Sequence, residues 1–420
     1  MSRKRRRLIA LVVLLLAIAG AGPAAAGIGQ RGVVSEKPAA WTPNVLDGTV
    51  NAIAVVGSTV VVGGDFTKVA DSSGTVKYKR RYVFAFDLGT GRVLDAAPDL
   101  DGPVEALAAA PDGHGVFVAG RFARVNGQAR TGLVEVDATS GVVVPGFGAT
   151  AGKGQIRSLA TNGPWLYLGG TFTRIGGLNR VGLARVDAFT GAADPALDLK
   201  LSRRDRGLVK VERVAVSGDG ARLAAVGAFD AAGGQRRTQV VVADLGAAPG
   251  LSGWSSDAYA GRCNTLYDSY LRGVDFAPDG TWLAVTATGG MSGPTRMCDS
   301  VARFEVAGSG NHRPMWVNRT GGNTLWTVAI TGAAVYVGGH MQWMDNPKGH
   351  KSKGPGAVER PGIAALDPAT GAALAWNPTH SRGVGVGVLV PCAAGLLVGS
   401  DTDRIGGEYH GRIGLLPLAG

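Results

Sequence analysis

The chain has 420 residues, of which 67 are glycine and 20 proline, so about a fifth of its positions are Gly or Pro against roughly 12% in ordinary proteins, and long helices are excluded. With 45% apolar and 18% charged residues, it has ample material for a core and too little charge for a disordered chain. The formal net charge is +11, but no dense Lys/Arg patch with interleaved aromatics accompanies it, which argues against a nucleic-acid partner.

Residues 1–26 read as a signal peptide. Arg3, Lys4, Arg5, Arg6 and Arg7 form a basic n-region, Leu8 to Ala19 is an uninterrupted apolar run, and Ala24-Ala25-Ala26 ends in the small-x-small pattern of a cleavage site. The run is shorter than the roughly 20 residues that span a bilayer, so the mature chain is expected to carry no transmembrane segment. Adjacent arginines raise the twin-arginine export route, although the rest of that motif is poorly matched. Cleavage removes five basic residues and leaves 38 basic against 32 acidic groups, so the excess charge belongs in part to the leader. A secreted or extracellular protein is expected, with residues 27–40 as a linker and 41–420 as the folded unit.

Within 41–420 one phrase returns with a period near 50 residues: Val62-Gly63-Gly64-Asp65-Phe66, Val118-Ala119-Gly120-Arg121-Phe122, Leu168-Gly169-Gly170-Thr171-Phe172 and Val226-Gly227-Ala228-Phe229. Degenerate copies follow at 286–290, at Val337-Gly338-Gly339-His340-Met341 and at Val398-Gly399-Ser400-Asp401, which makes seven. A second phrase keeps step with it: Asp87 to Gly91, Asp137 to Gly141, Asp187 to Gly191 and Asp367 to Gly371, with Asp244 and Glu305 as weaker matches. Here an Asp and a Thr or Ser bond the backbone of a tight turn that a glycine closes. Short apolar or alternating runs lie between the landmarks, punctuated by Pro111-Asp112-Gly113, Asn126-Gly127 and Pro278-Asp279-Gly280. Short strands in repeats of this length predict an all-β, seven-bladed β-propeller. The seventh repeat ends at Gly420 without its last strand, while Trp41-Thr42-Pro43 matches the outer-strand sequence Trp376-Asn377-Pro378. The ring is therefore expected to be closed by an N-terminal outer strand, which removes an exposed sheet edge.

These units resemble the delta-60 type of propeller repeat, Tyr-Val-Gly-Gly-x-Phe followed by Asn-Gly, Arg and Leu-x-x-x-Asp-x-x-Thr-Gly, found in secreted actinobacterial proteins. Leu166 to Phe172 together with Asp187 to Gly191 is the nearest copy. The resemblance covers about Trp41 to Gly420 and implies the fold and an exported location, but no reaction. The stretch Ala365 to Trp376 is also similar to the repeat of pyrroloquinoline-quinone dehydrogenase propellers, which keeps a quinoprotein-like or glycan-active enzyme as the alternative. The absent vicinal disulfide and the Gly-Gly-x-Phe phrase stand against it.

Three features remain. Cys263 and Cys298 flank the fifth repeat, and an oxidising location predicts their disulfide, with Cys392 a buried free thiol inside an apolar run. An arginine precedes the Asp landmark by seven residues at Arg80, Arg130, Arg180, Arg237 and Arg360, with Arg412 assigned to the same slot in the last repeat. Either each guanidinium bridges its blade to a neighbour through carboxylates or carbonyls, or the set forms an anion-binding ring. The sixth repeat replaces Gly-x-Phe by Gly339-His340-Met341-Gln342-Trp343-Met344-Asp345-Asn346, ahead of a polar loop that contains His350. With Asp401 and His410 of the seventh, His340, Trp343 and Asn346 make a candidate ligand-binding depression for a glycan, peptide or protein of the cell envelope. His340, His350 and His410 lack short ligand spacing, so neither metal nor cofactor is expected, and no catalytic signature is present. A secreted binding or scaffold module is the leading expectation.

Overall fold

The computed structural model describes residues 29–204, 207–263, 270–290 and 296–419; the signal peptide expected at 1–26 lies outside them. Every main element is an antiparallel strand, and among the described residues no helix is long and apolar enough to cross a membrane. The first sheet is Val50–Val56, Thr59–Gly64 and Val83–Asp87; the second is Val104–Ala109, Gly115–Gly120 and Leu133–Asp137. The third is Ile156–Asn162, Trp165–Gly170 and Leu183–Asp187; the fourth, Lys210–Val216, Arg222–Ala228, Val240–Asp244 and Gly250–Leu251. Leu271–Phe276, Trp282–Ala287, Ser300–Glu305 and Trp316–Arg319 make the fifth. Leu325–Ile330, Val335–Gly339 and Ile363–Leu366 make the sixth, and Val386–Cys392, Gly395–Ser400 and Ile413–Pro417 the seventh.

The core lies between sheets rather than within one. Each of the hydrophobic clusters joins two consecutive sheets, and one joins Val50, Ile53 and Val60 of the first to Val388, Leu397 and Ile413 of the seventh. Such face-to-face stacking of small twisted sheets is the packing of a multi-bladed β-propeller. The Gly-Gly phrase makes the stacking possible. A Cβ on Gly63 would fall 2.4 Å from Val104, one on Gly338 would fall 2.6 Å from Val386, and one on Gly399 2.7 Å from Val50. Two residues beyond the pair, Phe66, Phe122, Phe172 and Phe229 are buried, and Met341 fills the same place in the sixth sheet.

The Asp phrase builds the turns that its residue types imply. The Asp87, Asp187 and Asp367 carboxylates accept the backbone N–H of Thr90, Thr190 and Thr370 at 2.9, 2.8 and 2.7 Å. The backbone and hydroxyl of Thr370 hold the Asp367 carboxyl below the usual range. The disulfide joins Cys263 to Cys298, with Cα atoms 5.6 Å apart, and Cys392 is a buried free thiol.

At the N-terminus, pairing begins upstream of Trp41, within the residues expected to be a linker. Val34 bridges Leu418, Ser35 N–H donates to Pro417 O at 2.7 Å and Ala39 N–H to Leu415 O at 2.8 Å. Trp41 continues from this edge onto the first sheet, where its indole donates to Leu88 O at 3.2 Å.

The arginine slot needs a correction. Arg80, Arg180, Arg237 and Arg360 each spend Nη2 on a carbonyl 14 or 15 residues downstream, at 2.6 to 3.2 Å. They stitch these four blades to their own outer edges, while the Arg130 guanidinium donates to Ala129 O at 3.1 Å. The slot in the seventh sheet belongs to His410, whose N–H donates to Asp403 O as Arg180 N–H does to Thr173 O. Arg412 stands two residues on and reaches from the seventh sheet to the segment before the first, donating to Gly48 O at 2.7 Å and Val45 O at 3.0 Å.

Candidate binding site at the mouth of the central channel

Each inner strand carries one β-bulge, and all the bulges lie at the same level. The register shifts fall between Val50 and Ala52, Val104 and Ala106, Ile156 and Ser158, and Val211 and Arg213. They recur between Leu271 and Gly273, Leu325 and Thr327, and Val386 and Val388. A bulge leaves one residue out of the ladder and re-aims its side chain. The residues so displaced are Asn51, Glu105, Arg157, Glu212, Arg272, Trp326 and Gly387, and all of them line one cavity of about 390 Å³. A second cavity of about 580 Å³ is walled by the inner strands of every sheet, with Ile53, Leu107, Leu159, Val274 and Val328 on its surface. It forms the body of the channel, and the first cavity forms its mouth.

The mouth is polar and charged where the wall is aliphatic. The Glu212 side chain, 6% exposed, accepts from Arg272 Nη1 at 2.6 Å, from Lys210 Nζ at 2.8 Å and from Arg157 Nε at 3.1 Å. Burial pushes the Glu212 carboxyl up, but Arg272, Arg157 and Lys210 outweigh it and leave it below the usual range. Glu105 pairs with Arg121 at 2.8 Å. The Arg272 guanidinium lies 5.5 Å from the Trp326 ring centroid, and the Trp326 indole donates to Val384 O at 2.9 Å. An aromatic face, a guanidinium and an amide are thus held side by side at an opening, a combination suited to reversible polar and stacking contacts.

None of His340, Trp343, Asn346, Asp401 and His410 lines either cavity. His340 and Asp401 occupy equivalent positions in adjacent sheets and together shape the rim. His340 Nδ1 donates to Gly383 O at 2.5 Å while Nε2 accepts from Arg382 at 2.9 Å, a pairing that assigns the neutral Nδ1–H tautomer. Asp401 accepts from Val384 N at 2.8 Å and Gly385 N at 2.9 Å, fixing the turn whose Val384 reaches the mouth.

The other three residues do not join them. Trp343 pairs with Glu359 in a two-stranded hairpin. Asn346, fully buried, organises its own loop by donating to Thr320 O and Ser352 O at 3.0 and 3.1 Å and accepting from Gly354 N at 2.8 Å. His410 is buried at the seam, with Nδ1 3.1 Å from the Thr42 hydroxyl; burial lowers its pKa against the opposing pull of Glu408. The expected single depression is therefore not assembled: Asn346 and His410 are tied to local backbone and hydroxyl groups, and Trp343 belongs to a separate strand pair. The residues that do converge had a signal in the sequence. When the inner strands are aligned on their first aliphatic residue, the next column reads Asn, Glu, Arg, Glu, Arg, Trp, Gly, between apolar or small neighbours in every strand but the fourth, where Arg213 follows Glu212.

Neither a family model nor a curated protein matches the chain. Solved propellers do. The structure of U3-55K matches with a TM-score of 0.55 at 13% identity, over 91% of this chain and 100% of that one. The crystal structure of the RRP9 WD40 repeats matches with a TM-score of 0.55 at 13% identity, over 91% and 99% of the two chains. At this identity the likeness speaks for the fold, and the chain has an all-β, multi-bladed, WD40-like β-propeller fold.

Proposed function

We propose that this chain is an exported binding or scaffold module of the cell envelope, a seven-bladed ring closed by its N-terminal segment, with the channel mouth as its docking face. The observation that carries the docking face is the convergence of unlike side chains from every inner strand on one opening. Packing positions repeat from blade to blade while this level does not, and variation at a shared, solvent-facing level is what recognition of an asymmetric ligand requires. Closure is supported by the main-chain bonds of Ser35 and Ala39 to the last strand and by the packing of the seventh sheet on the first. Export is supported by the basic and apolar N-terminal sequence and by the delta-60 resemblance.

A protein, peptide or glycan ligand fits a face that offers an indole beside a guanidinium and an amide. Arrays of envelope glycan fragments and peptides should give a signal that Trp326→Ala and Arg272→Gln each reduce about tenfold, the range of hot-spot truncation, with unchanged melting temperature. Full signal in both variants would remove the mouth as the docking face. N-terminal sequencing of protein recovered from the medium of an exporting host is expected to begin at Gly27; retention of the uncleaved chain inside the cell would overturn the location.

A further inference from the structure

Two side chains break the pattern of the channel wall below the mouth. At the position after the bulge, six of the seven inner strands carry Ala, Ser, Gly, Thr or Val, and the fourth carries Arg213. Two residues further along, six carry Ala or Val and the fifth carries Asp275. Arg213 lines both cavities, so its side chain stands where the charged mouth meets the aliphatic channel. Its guanidinium makes no hydrogen bond and no ion pair with a described residue, although Glu212, Arg157 and Asp275 act on it electrostatically. The nearby carboxylates are engaged elsewhere. Glu212 is taken by Arg157, Lys210 and Arg272, and Asp275 accepts from Ile330 N at 2.8 Å and Phe276 N at 2.9 Å. Among the charged residues that line the mouth, Arg157, Arg213 and Arg272 stand with Glu105 and Glu212. That is a surplus of one positive charge, which falls to Arg213 because Arg157 and Arg272 pair with Glu212.

A half-buried fork of donors with no protein partner can take an oxyanion, and its planar geometry matches a carboxylate. What lies beyond it is mainly aliphatic, with Asp275, Thr161 and Thr327 as the polar residues of the wall. Ile53, Leu107, Leu159 and Val274 line a cavity of about 580 Å³, within the range that small ligands fill. We propose that the channel binds a small amphipathic carboxylic acid, with its carboxylate on Arg213 and its apolar tail against the aliphatic wall. Arg213 lines both the mouth and the channel body, so a small molecule inside the channel can place a carboxylate there. This site goes beyond the docking face and stands whether or not a macromolecule engages the rim.

Calorimetric titration of the mature chain with octanoate, octanol and inorganic phosphate tests it. Octanoate is expected to bind one per chain, with octanol and phosphate each weaker by about tenfold or more, because each lacks one of the two complementary parts. Arg213→Gln should bring octanoate down to the affinity of octanol, and Arg213→Lys should fall between. If Arg213→Gln does not fold, Ala160→Phe, which fills the channel without changing its charge, should abolish octanoate binding while leaving the anion site. Octanol binding as tightly as octanoate, phosphate displacing octanoate with equal affinity, or unchanged octanoate affinity in the Arg213 variants would each overturn the proposal. Such a failure leaves the docking face untouched, since that is read out by Trp326 and Arg272 on the arrays.

Discussion

Glu135 offers a quantitative test of the packing between the blades. It lies in Leu133–Asp137, 4% exposed, with its carboxyl over Gly115, where an added Cβ would meet Oε1 at 2.4 Å. No described residue donates a hydrogen bond to that carboxyl. Burial, and then the neighbouring Asp112, push its pKa up to about 7 from 4.5. The sign follows from linkage: below the unfolded value both states hold the proton and no penalty exists. Stability is lost as pH rises from the unfolded value through about 7, because the unfolded chain ionises first. At about 1.4 kcal/mol per pKa unit, the penalty above neutral pH is roughly 3 kcal/mol. Glu135→Gln removes it while keeping shape, but leaves an amide short of partners, at a cost of about 1 kcal/mol. The variant should therefore be more stable than the parent by about 2 kcal/mol near pH 8 and slightly less stable near pH 4. Urea unfolding of both proteins across that range measures the difference, in which the other buried carboxyls, Asp275 and Asp299, cancel. A difference that does not change with pH would refute the idea that Glu135 is held as a neutral acid.

Two further outcomes are expected. Reducing the Cys263–Cys298 bond, or replacing both residues by serine, should destabilise the chain by up to about 4 kcal/mol for a bridge of 35-residue separation; equal melting with and without reductant would contradict this. Deleting residues 27–39 should expose the edge of Ile413–Pro417 and produce oligomers in sedimentation, because an unpaired edge strand templates association; a monomer that melts within a few degrees of the parent would show that the ring does not depend on that segment.

The repeat was legible because packing writes the same residue types at the same level of every blade. Gly63, Gly169, Gly338 and Gly399 are required by the close approach of the next sheet, and Asp87, Asp187 and Asp367 by a turn that bonds their carboxylates. Other features were hidden because backbone geometry, not residue type, carries them. The residue before the third strand adopts a left-handed conformation in every sheet, with φ between 45° and 75° at Tyr82, Gly132, Gly182, Gln239, Asp299, Gly362 and Arg412. Only three of these are glycines, so the shared conformation leaves no shared residue, and the alignment of Arg412 with Arg80 slipped by two positions there. The bulges were hidden for the same reason. The polar column that the register shifts produce shows only when the inner strands are aligned with one another, so singly Arg157, Glu212, Arg272 and Trp326 looked like ordinary strand residues while the unusual sixth repeat drew attention instead.

The sixth repeat shows why departure from a consensus is an ambiguous guide to function. His340 and Asn346 depart from the pattern in order to solve local problems: one fixes the Gly383 carbonyl, the other replaces missing backbone partners inside a loop. Arg213 departs from it and solves none, since its donors meet no described acceptor and its neighbours in the ring manage with Ala, Ser or Gly. The discriminating question is therefore whether the unusual side chain is satisfied where it stands. A half-buried guanidinium without a protein partner keeps its donors open, so a ligand that completes its hydrogen bonds gains binding energy that a satisfied group cannot offer. On that criterion the throat of the channel, rather than the most divergent blade, is where this fold has free interaction energy to give.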